Sequence, residues 1–570
     1  MPNPIPGLVA ALAFTLAPGS LPRGPVERLV PNDTIARGAH GCVVAAEPHA
    51  ARIGLDVLKR GGNAVDAAVA TALALAVTHP QAGNLGGGGF MVIRLQDGTS
   101  AAIDFREQAP GRAHRDMYRR EDGTIDPERS LWGALAGGVP GSPAGLAHAL
   151  ERFGSMELAT LAAPAIELAR DGFEIDGFLA GALASKSGIL GRFESTRSVF
   201  FREGRTLRAG ERLVQADLAE TLRRFATEGV DGFYGGETAK RFEGFMAENG
   251  GWITATDLAA YEVADREVLR GTYRDYDVLT MPPASSGGVA LLQMLNILEA
   301  YDLGGSGFGS ARTLHVVVEA MRRAYADRAR WLGDPAFSKV PVEGLISREY
   351  AETLRASIDP ARVVPVEPGV PPGASEGKDT THFSVVDAEG NAVSCTTTIN
   401  STFGSGLVVG GLGFLLNNEM DDFAVAPGVP NQFGLIGYDA NAVEAGKRPL
   451  SSMTPTILVR DGQVRYVLGS PGGGRIINTV LQVLMNVVDH EMPLVDAVHA
   501  PRVHHQWRPE QLFFERNALN PDSRAILEVM GHRFADEPTS IGRCQAIEVR
   551  ADGIRIGVAD PRSGGAAFAW

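Results

Sequence analysis

The chain has 570 residues and a formal net charge of −14. A protein this acidic repels phosphate backbones, which argues against nucleic acid as a partner. Its three cysteines, Cys42, Cys395 and Cys544, show no C-x-x-C spacing, which argues against a zinc or dithiol site and against a disulfide framework. The composition, 44% hydrophobic and 21% charged, is that of a globular protein with a large core.

An apolar run from Gly7 to Ala17, GLVAALAFTLA, lies near the start of the chain. It is too short to span a bilayer, and it matches the hydrophobic region of a signal peptide. The preceding MPNPIP lacks the usual Lys or Arg, so an apolar N-terminal tail is the alternative. We predict a signal peptide within residues 1–28, a periplasmic or secreted protein and no membrane span. If the segment is instead an apolar tail, a cytoplasmic location is the alternative.

The first half of the chain is predicted to contain helices and two early strands. In VVAAEPHAARIGLDVLKRGGNAVDAAVATALALAVTHP, Gly61 and Gly62 end a first helix and Asn63 caps a second. The second is apolar nearly all round, which indicates that it is buried. NLGGGGFMVIRL is a glycine turn leading into a strand, and AAIDFREQAP is a strand that ends at Arg106. The stretch from about 131 to 350 is mainly helical.

The pattern changes at Val363, where VVPVEPGVPPGASEGKD is rich in Pro and Gly, as is typical of exposed linkers. THFSVVDAEGNAVSCTTTIN then alternates like a β-hairpin. Further strands are predicted at TPTILVR and VRYVLGS, a helix at INTVLQVLMNVVDH, and alternation again in QAIEVRADGIRIGVAD. Long helices with clustered hairpins indicate an α+β protein in which helices cover stacked sheets.

Thr380 stands where the linker meets the first strand of the hairpin. Proteolysis of an exposed segment at this point would leave a new N-terminus. An N-terminal threonine carries a hydroxyl together with an α-amine that can act as its base, and such amines have a pKa of about 7.7–8.0 in model peptides. From spacing alone, the alternative is an ordinary β-branched strand residue.

Nine motifs together resemble the γ-glutamyltranspeptidase family, also called glutathione hydrolases. Those after the linker are, in order, DTTHFSVVD, TINSTFGSG, LLNNEMDDF, KRPLSSMTPT and GSPGGGRII; those before it are GGNAVDAAVATALALAV, NLGGGGFM, DFREQAP and PPASSGG. The resemblance covers nearly the whole chain from about Ala36. A single motif of this kind is weak, whereas so many long motifs in one order are specific.

The resemblance implies the N-terminal-nucleophile hydrolase fold, a four-layer αββα sandwich, and a precursor that cuts itself between Asp379 and Thr380. Residues 29–379 would form a large subunit and residues 380–570 a small catalytic subunit, which stay together. Thr380 would then attack the γ-amide carbonyl of glutathione or a related compound. The resulting γ-glutamyl ester would be released to water or to an amino acid or peptide amine. No cofactor or metal is implied.

The same resemblance implies a pocket for the glutamyl group. The matching residues are Arg106, Ser451 and Ser452 for the α-carboxylate, and Asn400, Glu419 and Asp422 for the α-ammonium. A planar two-pronged arginine suits a carboxylate, and carboxylates supply the acceptors that an ammonium group needs. Without the resemblance, the arginine would be a surface residue, the serines a polar turn, and NNEMDDF an acidic solvated loop.

Three further residues match catalytic positions of the family. Gly472 and Gly473 match the oxyanion-hole pair, because glycines let backbone N–H groups approach a developing negative charge. Thr398 matches the threonine that hydrogen-bonds to the nucleophile and aids processing. Without the resemblance, the glycines would form a plain turn and Thr398 would be a strand residue.

The segment PGVPNQFGLIGYDANAVEAGKRPL resembles the loop that covers the site in many bacterial members. Many of those have a tyrosine where this chain has Phe433, and phenylalanine cannot donate a hydrogen bond. This implies looser gating and leaves open the balance between water and amine acceptors.

Two other motifs are weaker. Residues 373–377 fit G-x-S-x-G, but they lie in a Pro-rich linker instead of between a strand and a helix. His504 and His505 could suggest a metal, but no H-E-x-x-H helix accompanies them, so a structural pair is favoured.

Two alternatives to a γ-glutamyl hydrolase/transferase are considered. A related acylase for glutaryl-type side chains, as in β-lactam precursors, would bind no α-amine and would leave Glu419 and Asp422 facing an empty site. An uncleaved binding protein would have no need of Thr380, Thr398 and Arg106. Both are therefore less favoured.

Overall fold

The computed structural model describes residues 33–369, 381–426 and 428–570. The helices are α1 Pro48–Lys59, α2 Ala64–Thr78, α3 Pro127–Leu131, α4 Ser142–Phe153, α5 Leu158–Asp171, α6 Gly177–Ser185, α7 Ser187–Leu190, α8 Glu194–Phe200, α9 Ala216–Glu228, α10 Asp231–Tyr234, α11 Gly236–Glu248, α12 Ala255–Ala259, α13 Gly287–Leu298, α14 Leu303–Ser306, α15 Ala311–Trp331, α16 Val342–Leu345, α17 Arg348–Ala356, α18 Arg475–Val488, α19 Leu494–His499 and α20 Pro521–Val529. Within these described ranges, none of the helices is both long and apolar enough to cross a bilayer.

The strands are β1 Ile35–Gly38, β2 Cys42–Ala45, β3 Gly88–Arg94, β4 Ser100–Phe105, β5 Phe173–Glu174, β6 Phe201–Arg202, β7 Arg205–Thr206, β8 Arg212–Leu213, β9 Ala264–Arg266, β10 Leu269–Tyr273, β11 Tyr276–Thr280, β12 Thr381–Val386, β13 Ala392–Thr398, β14 Thr456–Arg460, β15 Gln463–Gly469, β16 Val503–His504, β17 Phe513–Phe514, β18 Gln545–Val549, β19 Arg555–Ala559 and β20 Ala566–Ala569. One seven-stranded antiparallel sheet has the order β1-β19-β18-β15-β14-β11-β10, and a second has the order β20-β2-β12-β13-β3-β4-β9.

The two sheets pack face to face. Phe90 and Val92 of β3 share one buried apolar cluster with Ile457 of β14 and Val467 of β15. Met91, between the first two, points to the opposite face of its sheet and packs in a different cluster with α2. This alternation follows from the two-residue period of a strand, and it gives each sheet one inner and one outer apolar face.

Helices cover both outer faces. The α2 helix lies on the second sheet and is buried along its entire length, as its apolar sequence predicts, and Asn63 and Asp66 form a capping box at its start. Helices α13, α15 and α18 pack together against the first sheet. The order of layers is therefore helix, sheet, sheet, helix, which confirms the predicted αββα sandwich.

The hairpin after the linker forms the centre of the second sheet. Thr381 pairs with Thr397 in β13, while β12 also pairs with β2 and β13 also pairs with β3. His382 and Ser384 face the other sheet, where Ser384 Oγ donates to the Gln545 carbonyl at 3.1 Å. Strands from before and after the linker therefore hydrogen-bond to one another within a single sheet.

Most predicted elements are confirmed, including α1, α2, the hairpin, β14, β15, α18 and the β18–β19 pair. The mainly helical middle of the chain also contains a hairpin that the sequence pattern did not indicate, β10–β11, which forms one end of the first sheet. The strand β10, LRGTY, is only partly buried, so its sequence does not need the regular alternation of apolar and polar residues that indicates a strand. The predicted signal peptide within 1–28 and the G-x-S-x-G motif at 373–377 lie outside the described residues.

Candidate active site

Arg106 is the first residue after β4, and its side chain is completely buried. Its Nε donates to the Pro449 carbonyl at 3.0 Å, one terminal nitrogen donates to Glu419, and the other donates to Asp422 at 2.5 Å. The main-chain N–H of Arg106 donates to the Asp104 carboxylate at 3.1 Å. All three nitrogens of the guanidinium therefore donate hydrogen bonds, and these bonds hold the group in one orientation.

Glu419 and Asp422 lie in a short 3-10 turn and are both completely buried, so the alternative of an acidic solvated loop is wrong. The Glu419 N–H donates to the Asn417 side chain at 2.9 Å, and the Asn441 side chain donates to the Asp422 carbonyl at 2.7 Å. Carboxylates in an interior are stable only beside a positive charge or hydrogen-bond donors, and Arg106 supplies both.

Glu107 belongs to the same group, although no motif assigned it a role. Its carboxylate is completely buried, 3.5 Å from the Arg106 guanidinium. Burial raises the pKa of Glu107 to about 7 and the pKa of Glu419 well above its ordinary value, while Arg106 opposes both shifts. Its position beside Arg106 in DFREQAP was the available signal. We call Arg106, Glu107, Glu419 and Asp422 the Arg106 cluster; it holds three carboxylates against one guanidinium.

Ser451 and Ser452 precede β14 and are completely buried. Ser452 Oγ accepts a hydrogen bond from Arg328 of α15 at 3.1 Å. Arg328 also lacks any sequence signal, because a single arginine in a long helix has no motif. The serines follow Pro449, whose carbonyl binds Arg106, by two and three positions, so the chain connects them directly to the Arg106 cluster.

Thr398 and Asn400 lie at and just beyond the end of β13. Thr398 Oγ1 accepts from the Asn400 N–H at 2.7 Å, and the Thr398 carbonyl accepts from the Asn84 side chain at 2.7 Å. Asn400 has a φ of +69° and its Nδ2 donates to the Asn418 carbonyl at 2.9 Å. Its Oδ1 is buried and accepts no hydrogen bond from the residues that the structure describes. That oxygen is available to a donor on a ligand.

Gly472 and Gly473 form the turn between β15 and α18, with φ of +138° and +66°. A side chain would be strained at both positions, which explains the glycines. Neither N–H donates to any atom of the described part of the chain. Gly472 is exposed and Gly473 half-buried in a cleft wall. N–H donors in the wall of a cleft can receive an oxyanion.

The cleft has a volume of about 1060 Å³ and reaches four of the predicted residues: Asn400, Phe433, Gly472 and Gly473. The Arg106 cluster and the two serines lie outside its lining. The predicted site is therefore divided into an open part with the glycine turn and a closed part with the Arg106 cluster.

The loop that contains Phe433 has contacts with both of these parts. Gln432 Oε1 accepts from Ser401 Oγ at 2.6 Å, and the Phe433 carbonyl accepts from the Gln506 side chain at 3.1 Å. The Asn431 side chain approaches Asp422 of the Arg106 cluster at 3.4 Å. The loop thus contacts both parts of the predicted site.

Asp379 and Thr380 lie outside the described residues. The first described residue after them is Thr381, which begins β12 opposite Thr397. The predicted nucleophile is therefore adjacent in sequence to the strand that pairs with the Thr398 strand.

Two groups of side chains were considered as metal sites. His504 accepts at Nδ1 from Asn478 at 2.8 Å and bonds through Nε2 to Gln506 at 2.9 Å, as a structural histidine does. The second group consists of His315, Glu319 and His532. Both Glu319 oxygens accept at 2.6 Å from arginines, Arg322 and Arg323, whose charges would repel a cation. We assign no metal to either group.

Comparison with known proteins gives a consistent result. A sequence model of the family Gamma-glutamyltranspeptidase matches residues 50–570. The glutathione hydrolase proenzyme of Escherichia coli (strain K12) is 47% identical over 565 residues, covering 98% of this chain and 97% of that protein. The acylase ACY 1 proenzyme of Pseudomonas sp. (strain SE83) is 40% identical, covering 93% of each.

Solved structures agree in fold. The cephalosporin acylase from Bacillus halodurans is similar with a TM-score of 0.85 at 29% identity, covering 98% of this chain and 99% of that one. The γ-glutamyltranspeptidase of Helicobacter pylori is similar with a TM-score of 0.56 at 43% identity, covering 57% of this chain and 95% of that one. With the layered fold, the buried Arg106 cluster and these matches together, the chain belongs to the γ-glutamyltranspeptidase family.

Proposed function

We propose that this protein is a self-processing γ-glutamyl hydrolase/transferase that cleaves the γ-glutamyl amide of glutathione and related compounds. The observation that carries this proposal is the composition of the Arg106 cluster, where three buried carboxylates surround one guanidinium. An incoming ammonium group favours the charged form of Glu419, whose pKa burial raises, and the guanidinium can pair with an incoming carboxylate. A substrate with both groups on one carbon, such as a γ-glutamyl compound, satisfies the two requirements together.

In this proposal the α-carboxylate binds Arg106, Ser451 and Ser452, and the α-ammonium binds Asn400, Glu419 and Asp422. The contacts within the Arg106 cluster must open to admit the substrate, because the guanidinium is already bonded to Glu419 and Asp422. The loop around Phe433 adjoins the cluster and would move with it. The glutamyl side chain would then extend towards the cleft and place its γ-carbonyl beside Gly472 and Gly473.

The proposed chemistry begins when Thr380 Oγ attacks the γ-carbonyl carbon while its own α-amine takes the hydroxyl proton. The N–H groups of Gly472 and Gly473 stabilise the oxyanion. Cleavage of the C–N bond leaves the γ-glutamyl ester, and the leaving amine receives the proton. Water or an acceptor amine then attacks the ester and restores Thr380. Thr398 follows Thr397, the β13 partner of Thr381, and this supports a role for Thr398 close to the nucleophile.

We further propose that cleavage between Asp379 and Thr380 produces the large subunit, 29–379, and the small subunit, 380–570. The topology of the second sheet supports their staying together. In that sheet β12 and β13 lie between β2 and β3, so cutting the linker leaves both flanking ladders intact. Separating the subunits would expose the strand edges of these ladders and the core between the sheets.

A glutaryl-type acylase is the second candidate, because the Pseudomonas relative and the Bacillus neighbour carry acylase names. A glutaryl group has no α-ammonium. Glu419 and Asp422 would then remain without a cationic ligand, which argues against this assignment. An uncleaved binding protein is disfavoured by the N–H groups of the glycine turn, which donate to no atom of the described residues.

The test is maturation and turnover of the purified protein. We expect denaturing electrophoresis to show two subunits, and γ-glutamyl-p-nitroanilide to release nitroaniline, faster when a dipeptide acceptor is added. Thr380→Ala should leave one uncut chain without turnover. Two normal subunits from Thr380→Ala, or turnover of glutaryl-p-nitroanilide alone by the wild type, would overturn the assignment. We also propose export to the periplasm or medium with loss of the predicted signal peptide, which N-terminal sequencing of the mature protein tests.

A further inference from the structure

Arg328 lies in the last turn of α15, and its side chain is completely buried. Its Nε donates to Ser286 Oγ at 3.1 Å, and one terminal nitrogen donates to Ser452 Oγ, also at 3.1 Å. A buried guanidinium needs hydrogen-bond acceptors in fixed positions, because leaving its donors without partners is costly. Arg328 is therefore held against Ser451 and Ser452, which we call the serine pair.

Ser286 connects Arg328 to the first member of the serine pair. It belongs to the PPASSGG motif, to which the sequence assigned no role. Ser286 Oγ accepts from Arg328 and donates in turn to the Ser451 carbonyl at 2.7 Å, and the Ser286 N–H donates to the same carbonyl at 2.7 Å. The Ser451 N–H donates to the Ala284 carbonyl at 3.0 Å. One guanidinium thus holds Ser452 by a direct bond and Ser451 through Ser286.

The bond from Arg328 also decides the direction of the Ser452 hydroxyl. A serine hydroxyl has one hydrogen to donate and two lone pairs to accept, and its hydrogen rotates to suit its partners. Because a positive donor approaches the Ser452 oxygen, the hydroxyl hydrogen has to point away from the guanidinium. A cation bonded to that oxygen also polarises the O–H and strengthens it as a donor. Ser452 is thereby prepared to donate to an anion.

Two guanidinium groups reach the segment that ends in the serine pair. Arg106 follows β4 and donates to the Pro449 carbonyl at 3.0 Å, whereas Arg328 belongs to α15. The terminal nitrogens of Arg106 donate to Glu419 and Asp422, so these carboxylates balance much of its charge. Arg328 brings a second positive charge to the other side of the segment. A carboxylate bound to the serine pair would therefore interact with two guanidinium groups.

We propose that Arg328 is a positioning residue for the γ-glutamyl donor, which orients the serine pair and thereby makes the α-carboxylate a requirement for rapid turnover. The inference rests on the proposed γ-glutamyl function and specifies how the carboxylate end of that site is built. Arg328 acts through Ser452 and Ser286 and does not itself contact the substrate. The site then selects γ-amides of an α-amino acid over the corresponding amides of a simple amino acid without the α-carboxylate, such as 4-aminobutyric acid.

The test compares γ-glutamyl-p-nitroanilide with 4-aminobutyryl-p-nitroanilide, which keeps the amine and the scissile amide but lacks the α-carboxylate. The ratio of the two kcat/KM values measures the contribution of the carboxylate contact. We expect the wild type to prefer the γ-glutamyl substrate, and Arg328→Gln to lower the ratio about tenfold, through a higher KM for that substrate. Arg328→Lys keeps the charge but loses the planar fork, and should lower the ratio about threefold.

A double-mutant cycle checks that Arg328 acts through Ser452. Ser452→Ala removes the hydroxyl that would bind the carboxylate, so Arg328→Gln should change the ratio little further in that background. Ser286→Ala removes only one hydroxyl, should lower the ratio about threefold, and decides the matter if Arg328→Gln does not mature. An unchanged ratio in Ser286→Ala, or fully additive effects of Arg328→Gln and Ser452→Ala, would overturn the inference.

Arg323→Gln is the matched control, because Arg323 is a buried arginine of the same helix with contacts elsewhere. Its guanidinium donates to Glu319 Oε2 at 2.6 Å and to Ser357 Oγ at 2.8 Å. Its loss should lower Tm but leave the substrate ratio at the wild-type value. Equal falls of the ratio in Arg323→Gln and Arg328→Gln would assign the effect to damage of α15 and overturn the inference. If the wild type still releases nitroaniline from γ-glutamyl-p-nitroanilide, only the role of Arg328 is wrong and the proposed function stands.

Discussion

Asp422→Asn gives the most direct test of how the Arg106 cluster distinguishes γ-glutamyl from glutaryl groups. The change keeps the shape of the side chain but removes one of the three carboxylates that face Arg106. Asp422 is completely buried, and its Oδ2 lies 2.5 Å from the guanidinium. In the proposed complex the α-ammonium of the substrate takes part of this interaction. A hydrogen bond to a charged group contributes about 2 kcal/mol, which corresponds to about 30-fold in kcat/KM.

The assay measures kcat/KM for γ-glutamyl-p-nitroanilide and glutaryl-p-nitroanilide with the same enzyme preparation. The two substrates share the carboxylate that would bind Arg106 and differ in the ammonium group. We expect Asp422→Asn to lower the ratio of γ-glutamyl to glutaryl turnover about 30-fold. General damage to the fold would reduce both values together and leave the ratio constant, so the ratio isolates the ammonium contact.

Asp421→Asn is the matched control, because it lies in the same 3-10 turn and is also buried. Its carboxylate accepts from Ser130 Oγ at 2.8 Å and from the Gln432 N–H at 3.4 Å, away from the guanidinium of Arg106. Asp421→Asn should therefore leave the substrate ratio near the wild-type value even where stability falls. An unchanged ratio in Asp422→Asn, or equal changes in both variants, would refute the ammonium assignment.

Three further predictions follow from other contacts. Gly87→Ala should abolish self-cleavage, because its Cβ would lie 1.9 Å from the Thr398 carbonyl oxygen and would displace the Thr398 strand. Gly244→Ala is the control, because the space around its Cβ is open, and it should mature normally. Denaturing gels show whether each variant forms two subunits. Glu107→Gln should flatten the dependence of Tm on pH between about 4.5 and 7. Burial raises the pKa of Glu107 from 4.5 to about 7 in the folded state, so the folded protein keeps this proton over a pH range where the unfolded chain has lost it. The stability that the Glu107 proton contributes is therefore complete below pH 4.5 and is lost as the pH rises through 7. A variant that keeps the wild-type slope would contradict this. Phe433→Tyr should increase transfer to glycylglycine relative to hydrolysis, because a tyrosine hydroxyl can donate to the buried Asn400 Oδ1 in the same cleft and hold the loop closed. Phe433→Leu, which adds no hydroxyl, should leave this ratio unchanged. Chromatography of the products measures the ratio of transfer to hydrolysis for each variant.

The order of elements was predictable where local patterns are strong. The capping box at Asn63 and the apolar α2 helix specify a buried helix, and the alternation from Thr381 to Thr398 specifies a hairpin. The β10–β11 hairpin was not predictable, because its partly buried sequence shows little alternation and its partner strand, β14, is more than 170 residues away in the chain. Non-local pairing of that kind leaves no mark in a short window of sequence.

The residues of the candidate site also include some that the sequence indicated and some that it did not. The resemblance to the family's motifs indicated Arg106, Glu419, Asp422, Gly472 and Gly473. It could not show that Arg106 contacts Glu419 and Asp422 directly. Glu107 and Arg328 carry no motif, and their position in the site depends on the groups that surround them after folding. A carboxylate acquires a raised pKa, and an arginine becomes a hydrogen-bond donor to a serine, only when other parts of the chain bring the groups near.

The sequence by itself therefore determined the family, the layered fold and the residue types of the proposed glutamyl pocket, because these depend on long motifs and local periodicity. Tertiary structure alone decided that the pocket is a closed, carboxylate-rich cluster beside an open cleft. The physical reason is that charge balance and accessibility are properties of neighbours in space. Arg106 and Glu419 are 313 positions apart in the chain and become a buried ion pair only when the chain folds.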